Sequence, residues 1–142
     1  MKPIVLIRHA SAGDREGWSG EDRLRPLDER GWRQAEGLVS ALAEFDIERV
    51  LSSSAVRCVE SVEPLASSVG VEIEERPELM EGASREDALA LVDELRGTAA
   101  ALCTHGDVVY ELLGDGLKKG AAAVLEPDDS GLRLVAKIKR RA

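Results

Sequence analysis

Four consecutive apolar residues, Ile4, Val5, Leu6 and Ile7, run directly into Arg8, His9 and Ala10. An unbroken apolar run closed by a polar turn suits a strand buried on both faces, as in a parallel sheet. Residues 99–104 repeat the pattern and deliver His105 and Gly106. Elsewhere the spacing is helical. Trp32, Ala35, Leu38, Val39 and Leu42 recur at three- and four-residue steps behind a capping Asp28, and Val56, Val59, Val62, Leu65 and Val69 do the same behind Ser52, Ser53 and Ser54. Pro64 is expected to kink or interrupt this second helix, and Gly70 to end it. Ser84 and Asp87 resemble a capping box for a third helix, carrying Leu89, Leu91, Val92 and Leu95 and closed by Gly97. A fourth, short helix is expected over 107–113.

Residues 47–51 and 71–75 read as short strands, and 121–125 with 132–138 as a hairpin turning at 127–131. Strands alternating with helices predict a three-layer α/β/α sandwich around a mainly parallel sheet, with the first, second and fourth strands central. One domain over 1–142 is expected from the length. Between the first strand and the first helix, residues 11–26 form a long polar loop in which Arg15, Arg23 and Arg25 alternate with acids. Loops of this size in small domains are commonly binding loops. Trp18 gives it an apolar anchor, either for packing or for substrate.

Charge narrows the function. A net charge of -8 argues against binding a nucleic-acid polymer, which needs a basic surface. The basic tail from Lys137 to Arg141 reads as an edge-strand guard against further pairing. Cys58 and Cys103 show no zinc or disulfide spacing and sit among apolar neighbours, as small buried hydrophobes do. With neither a signal-peptide core nor a membrane-length apolar stretch, a cytoplasmic chain without a membrane partner is expected. A monomer is expected too.

The chemistry gathers at the strand ends. Parallel strands would bring Arg8, His9, Arg57 and His105 to one sheet edge, where ligands of open α/β folds bind. Arg57 falls in the first turn of its helix, where the dipole disfavours a cation, and a bound anion would explain its presence. A solvated Arg57 paired with Glu60 is the alternative. Two guanidinium groups and two imidazoles suit a compact, doubly charged phosphoryl group, which a neutral histidine can attack directly. Glu81, on a loop beyond the third strand, is the candidate proton donor, with Glu78 its substitute. A zinc enzyme built on His9 and His105 would lack a third ligand.

The run Leu6 to Ala10 resembles the Arg-His-Gly signature of the histidine phosphatase, phosphoglycerate-mutase-like superfamily. Ser52 to Ser61 is similar to its Ser-Ser-Pro-x-x-Arg-Ala-x-Gln-Thr helix start, Leu79 to Gly82 to its acid-bearing loop, and Thr104, His105 and Gly106 to its second histidine motif. Ala10, Ser54 and Ser61 depart from the pattern. The resemblance implies that His9 is the phosphorylated nucleophile, that Arg8 and Arg57 clamp the phosphoryl oxygens, that His105 stabilises their charge and that Glu81 supplies the proton. The stretch Arg25 to Gly31 and the Arg-His-Ala variant are similar to the SixA-type phosphohistidine phosphatases. They also resemble the phosphatase-like domain behind a Nudix domain in some bacterial MutT-type hydrolases. The resemblance therefore implies a metal-independent phosphatase without a cofactor, open-sited, with protein phosphohistidine as the expected substrate. A nucleotide or sugar phosphate is the alternative within the superfamily, and a non-catalytic phosphate-binding module the alternative outside it.

Overall fold

Side chains alternate along the first strand, β1 (Ile4–Arg8), and this alternation divides the core in two. Ile4 and Leu6 face one helical layer, and Val5 and Ile7 face the other. The structure is a computed structural model describing residues 2–129 and 131–141, so Ser130 of the expected hairpin turn lies outside the described residues. Five further strands complete one sheet: β2 (Arg49–Ser52), β3 (Ile73–Glu75), β4 (Ala100–Thr104), β5 (Ala122–Asp128) and β6 (Gly131–Ile138). Their order is β3-β2-β4-β1-β5-β6. The first four strands are parallel, and β5 and β6 form an antiparallel hairpin on the far side of β1.

Helices α1 (Glu29–Ala41) and α2 (Val56–Val69) cover the Val5 face, and α3 (Arg85–Glu94) and α4 (Gly106–Leu113) the Ile4 face. This is the expected sandwich, with β1, β2 and β4 at its centre. Asp28 caps α1 by accepting from Gly31 N at 2.7 Å, and Ser84 caps α3 by accepting from Asp87 N at 3.1 Å. Among the described residues, no helix is long and apolar enough to cross a membrane.

The second helix departs from expectation in three ways. Its N-cap is Ala55, which has no capping side chain; Ser53 Oγ accepts from Ala55 N at 3.2 Å and also lies 2.9 Å from His105 Nε2, in the sheet-edge cluster described below. It also runs unbroken through Pro64. Burial of Val62, Leu65 and Ala66 against the sheet holds the helix where the missing N–H alone would weaken it. Finally, its buried face carries Arg57, Cys58 and Ser61, whereas Val69 is exposed. Ser61 is buried because its hydroxyl works: it accepts from Ala10 N at 2.8 Å and donates to Arg57 O at 2.6 Å.

The loop after β1 is fastened to α1. Asp28 Oδ2 accepts from Ser11 Oγ at 2.7 Å and Gly13 N at 3.0 Å, and Gln34 Oε1 accepts from Ser11 N at 2.9 Å. The backbones approach so closely that a Cβ on Gly31 would stand 1.9 Å from Ser11 O. Gly31→Ala should therefore lower stability by about 1–3 kcal/mol, the usual cost of overpacking. The urea unfolding midpoint reads this, and an unchanged midpoint would mean that the loop yields freely there.

Candidate active site

Register brings the chemistry together. Arg8, the last residue of β1, stands opposite Thr104, the last of β4, and Ser52 at the end of β2 stands opposite Cys103. The backbone continues the match past the strands, with His9 N donating to Thr104 O and Ser53 N to Cys103 O, both at 3.0 Å. His9 and His105 thus leave neighbouring strands at the same level, and their rings meet edge to face with centroids 5.5 Å apart. Arg8, His9, Glu81 and His105 line one cleft of about 540 Å³. Arg57, almost wholly buried, reaches the same cluster from the first turn of α2.

The protonation of His9 follows from its neighbours. Nδ1 lies 2.9 Å from Ala10 O, and a carbonyl oxygen only accepts, so Nδ1 carries the proton and Nε2 keeps its lone pair. Burial pushes the pKa down from 6.5 to about 3, against the Ala10 bond and helped by the charges of His105, Arg57 and Arg8. His9 is therefore a neutral imidazole at physiological pH, which is the form that can attack phosphorus.

Both flanking guanidinium groups are held firmly. Arg8 Nη1 donates to Leu117 O at 2.8 Å, and Gly106 leaves the room it needs: a Cβ there would stand 3.1 Å from the guanidinium. Arg57 Nη1 donates to Asp22 O at 2.9 Å, and Nη2 lies 3.1 Å from Asp22 Oδ2. The Nε–H groups of Arg8 and Arg57 are buried without an acceptor among the described residues. Unmet charged donors beside a neutral histidine are suited to an anion with several oxygens.

His105 is oriented by two contacts. Its Nδ1 lies 3.4 Å from Arg57 Nη2, and its Nε2 lies 2.9 Å from Ser53 Oγ. Cys58 Sγ lies 3.6 Å from the same nitrogen. Both cysteines are buried as expected, and Cys58 additionally borders the cluster.

The two candidate acids separate. Glu81 lines the cleft, its Oε2 paired with Arg15 Nη2 at 2.9 Å and its Oε1 4.0 Å from Arg57 Nη2. Glu78 does not line the cleft and takes both oxygens to Arg76, at 2.8 and 3.2 Å. Nor does Glu60 pair with Arg57, because its Oε1 accepts from Leu27 N at 2.9 Å. Trp18 also lies off the cleft, its indole N–H donating to Glu21 O at 3.0 Å.

Residues outside the four motifs complete the site. Asp22 is a hub for the loop, pairing with Arg57, with Arg25 at 3.2 Å and with Arg15 at 3.3 Å. Burial opposes ionisation of its carboxyl, but the surrounding arginines bring its pKa below the usual value. Arg25 and Lys119 also line the cleft. The alternating charges of the loop are the sequence signal for Asp22, Arg25 also opens the stretch 25–31 that resembles the SixA-type enzymes, and Ser53 is hidden among three equivalent serines. Among the described residues, no group of three or more His, Cys, Asp or Glu is placed to hold a metal ion.

Comparison with known proteins supplies the family and the fold. The family model of the histidine phosphatase superfamily (branch 1) matches residues 4–86. An 8-oxo-(d)GTP phosphatase of Mycolicibacterium smegmatis is 37% identical over 117 residues, covering 79% of this chain and 36% of that protein. The chain thus spans about a third of the length of that relative. Among solved structures, the protein histidine phosphatase SixA complexed with tungstate superposes with a TM-score of 0.80 at 24% identity, covering 96% of each chain. The mycobacterial glucosyl-3-phosphoglycerate phosphatase bound to VO3 does so with a TM-score of 0.77 at 14% identity, over 98% of this chain and 100% of that one. At these identities the two structures speak for the fold. With the family model spanning more than half of its length, the chain belongs to the histidine phosphatase superfamily.

Proposed function

We propose that this chain is a metal-independent phosphatase working through a covalent phosphohistidine at His9. The observation that carries the reading is a neutral His9, its proton held on Nδ1 by Ala10 O, set between two guanidinium groups and a second imidazole. In the first step Nε2 bonds to phosphorus while the bond from phosphorus to the leaving oxygen breaks. Arg8, Arg57 and His105 meet the charge on the transferring oxygens. Water then attacks the phosphorylated ring, the P–N bond breaks with its electron pair returning to Nε2, and inorganic phosphate leaves. Glu81 is the acid placed to protonate a poor leaving oxygen, once its bond to Arg15 opens and it has taken up a proton from solvent.

Two substrate classes compete for the site. Protein phosphohistidine is supported by the open cleft and by the likeness to the SixA fold. A small phosphorylated metabolite is supported by the Mycolicibacterium relative, a nucleotide phosphatase by name, and by the cations Arg15, Arg25 and Lys119 around the cleft. This surplus of positive charge weights the choice toward the second class. Phosphate release across phosphohistidine protein, nucleotides and sugar phosphates separates them.

Incubation with a labelled phosphodonor should trap an acid-labile phosphoenzyme in the native chain and none in His9→Ala; equal labelling of the variant would remove His9 from the mechanism. Arg57→Ala should lower kcat by about 10²–10³-fold, the cost of one preorganised charge donor, and steady-state phosphate release measures it.

The buried imidazole also has a signature in stability. Folded His9 takes up its proton near pH 3 and unfolded histidine near 6.5, so between these values the unfolded chain binds the extra proton. Stability attributable to this group is accordingly intact above about pH 6.5 and declines as pH falls toward 3. His9→Gln should lose less stability than the native chain between pH 7 and pH 4, as read by urea midpoints. Parallel curves would mean that His9 titrates normally.

A further inference from the structure

Lys119 is a cation with no evident structural work. Its side chain makes no hydrogen bond or salt bridge with any described residue, while its backbone is anchored through its neighbour. The next residue, Gly120, donates its N–H to both Arg8 O at 3.0 Å and His9 O at 3.1 Å, which ties the Lys119 backbone to the residue that carries the imidazole. Its side chain lines the cleft together with Arg25, a buried arginine held by Ala12 O at 2.5 Å and Asp22 at 3.2 Å. Burial lowers the pKa of Lys119, and the neighbouring charges of Arg8, Arg25 and Arg57 lower it further against Asp28. The carboxylates lining the same cleft are already engaged. Glu81 holds Arg15, Asp107 accepts from Gly82 N at 2.7 Å, and Asp14 accepts from Glu16 N at 3.0 Å. A lysine crowded by cations and left without a hydrogen-bond or ion-pair partner among the described residues is an arrangement completed by a ligand's anion.

We propose that Lys119 and Arg25 form a second phosphate position beside His9, so that the preferred substrate ends in a phosphoanhydride, as a nucleoside diphosphate does. The inference rests on His9 as the nucleophile and specifies the class of small phosphorylated metabolite. The terminal phosphoryl group sits among Arg8, His9, Arg57 and His105, and the penultimate one meets Lys119 and Arg25. His9 Nε2 bonds to the terminal phosphorus, the bond from that phosphorus to the bridging oxygen breaks, and the electron pair stays on the bridging oxygen, which departs as part of a monophosphate. Water subsequently releases inorganic phosphate from the ring.

The leaving group also accounts for the state of Glu81. A phosphate monoester has its second pKa near ~6 and leaves neutral water largely as the dianion, so it departs without a donated proton. A sugar or serine alkoxide would need that proton. With a phosphoanhydride, Glu81 can remain bound to Arg15 throughout the first step.

The test compares kcat/KM for ADP, AMP, inorganic pyrophosphate and a phosphohistidine protein in the native chain, Lys119→Gln and Lys119→Arg. The native chain should prefer ADP to AMP by about tenfold or more, the worth of one charged hydrogen bond. Lys119→Gln should bring that ratio close to one, and Lys119→Arg should keep most of it. Pyrophosphate matching ADP would define the ligand as the anhydride alone; pyrophosphate well below ADP would add the nucleoside to it. A native chain active on AMP or phosphohistidine protein without preference for ADP overturns the second phosphate position and leaves His9 standing. So does an ADP preference that Lys119→Gln does not change. If no donor releases phosphate or labels His9, the catalytic reading fails, and this inference with it.

Discussion

Everything at the site depends on level strand ends. Arg8 opposite Thr104 and Cys103 opposite Ser52 put the exits of three strands side by side. A slip of one residue would turn every side chain of the slipped strand to the other layer, and the two apolar cores forbid it, because Ile4 and Leu6 belong to one and Val5 and Ile7 to the other. Core packing thus sets the separation of the two imidazoles. The hydroxyl of Ser61 extends this control to α2, because one oxygen bonds both the backbone after His9 and the carbonyl of Arg57.

Electrostatics at the edge opposes that of the whole chain. A protein of net charge -8 concentrates buried or half-buried cations around one cleft. Their desolvation is tolerable because the guanidinium groups are distributed over backbone carbonyls, Leu117 O for Arg8, Asp22 O for Arg57 and Ala12 O for Arg25. Carbonyl oxygens orient a cation without cancelling its charge, so the field in the cleft remains available to an anion.

The parts legible in the sequence were those with a local physical cause. The apolar runs before His9 and His105 announced buried strands, and Arg57 stood out as a cation at the wrong end of a helix. The parts that were not legible depend on residues far apart in the chain. Ser53 looked like a cap because a local rule cannot anticipate His105, 52 residues away, as a further partner for its hydroxyl. Pro64 looked like a break because the layer that holds α2 straight is a tertiary fact. Asp22, Arg25 and Lys119 lie in irregular segments, where no periodicity indicates which way a side chain turns. Glu81 and Glu78 are two acids on one stretch of chain, and their partners distinguish them, Arg15 for Glu81 at the cleft and Arg76 for Glu78 away from it.

Asp22 has one further consequence. Three guanidinium groups packed near one another repel, and a carboxylate placed among them offsets that repulsion. By lending its carboxylate and its carbonyl to Arg57, and the same carboxylate to Arg15 and Arg25, Asp22 acts as a built-in counterion. The spacing of the three arginines is thereby set within the chain itself, by one acidic residue of the loop that follows the first strand.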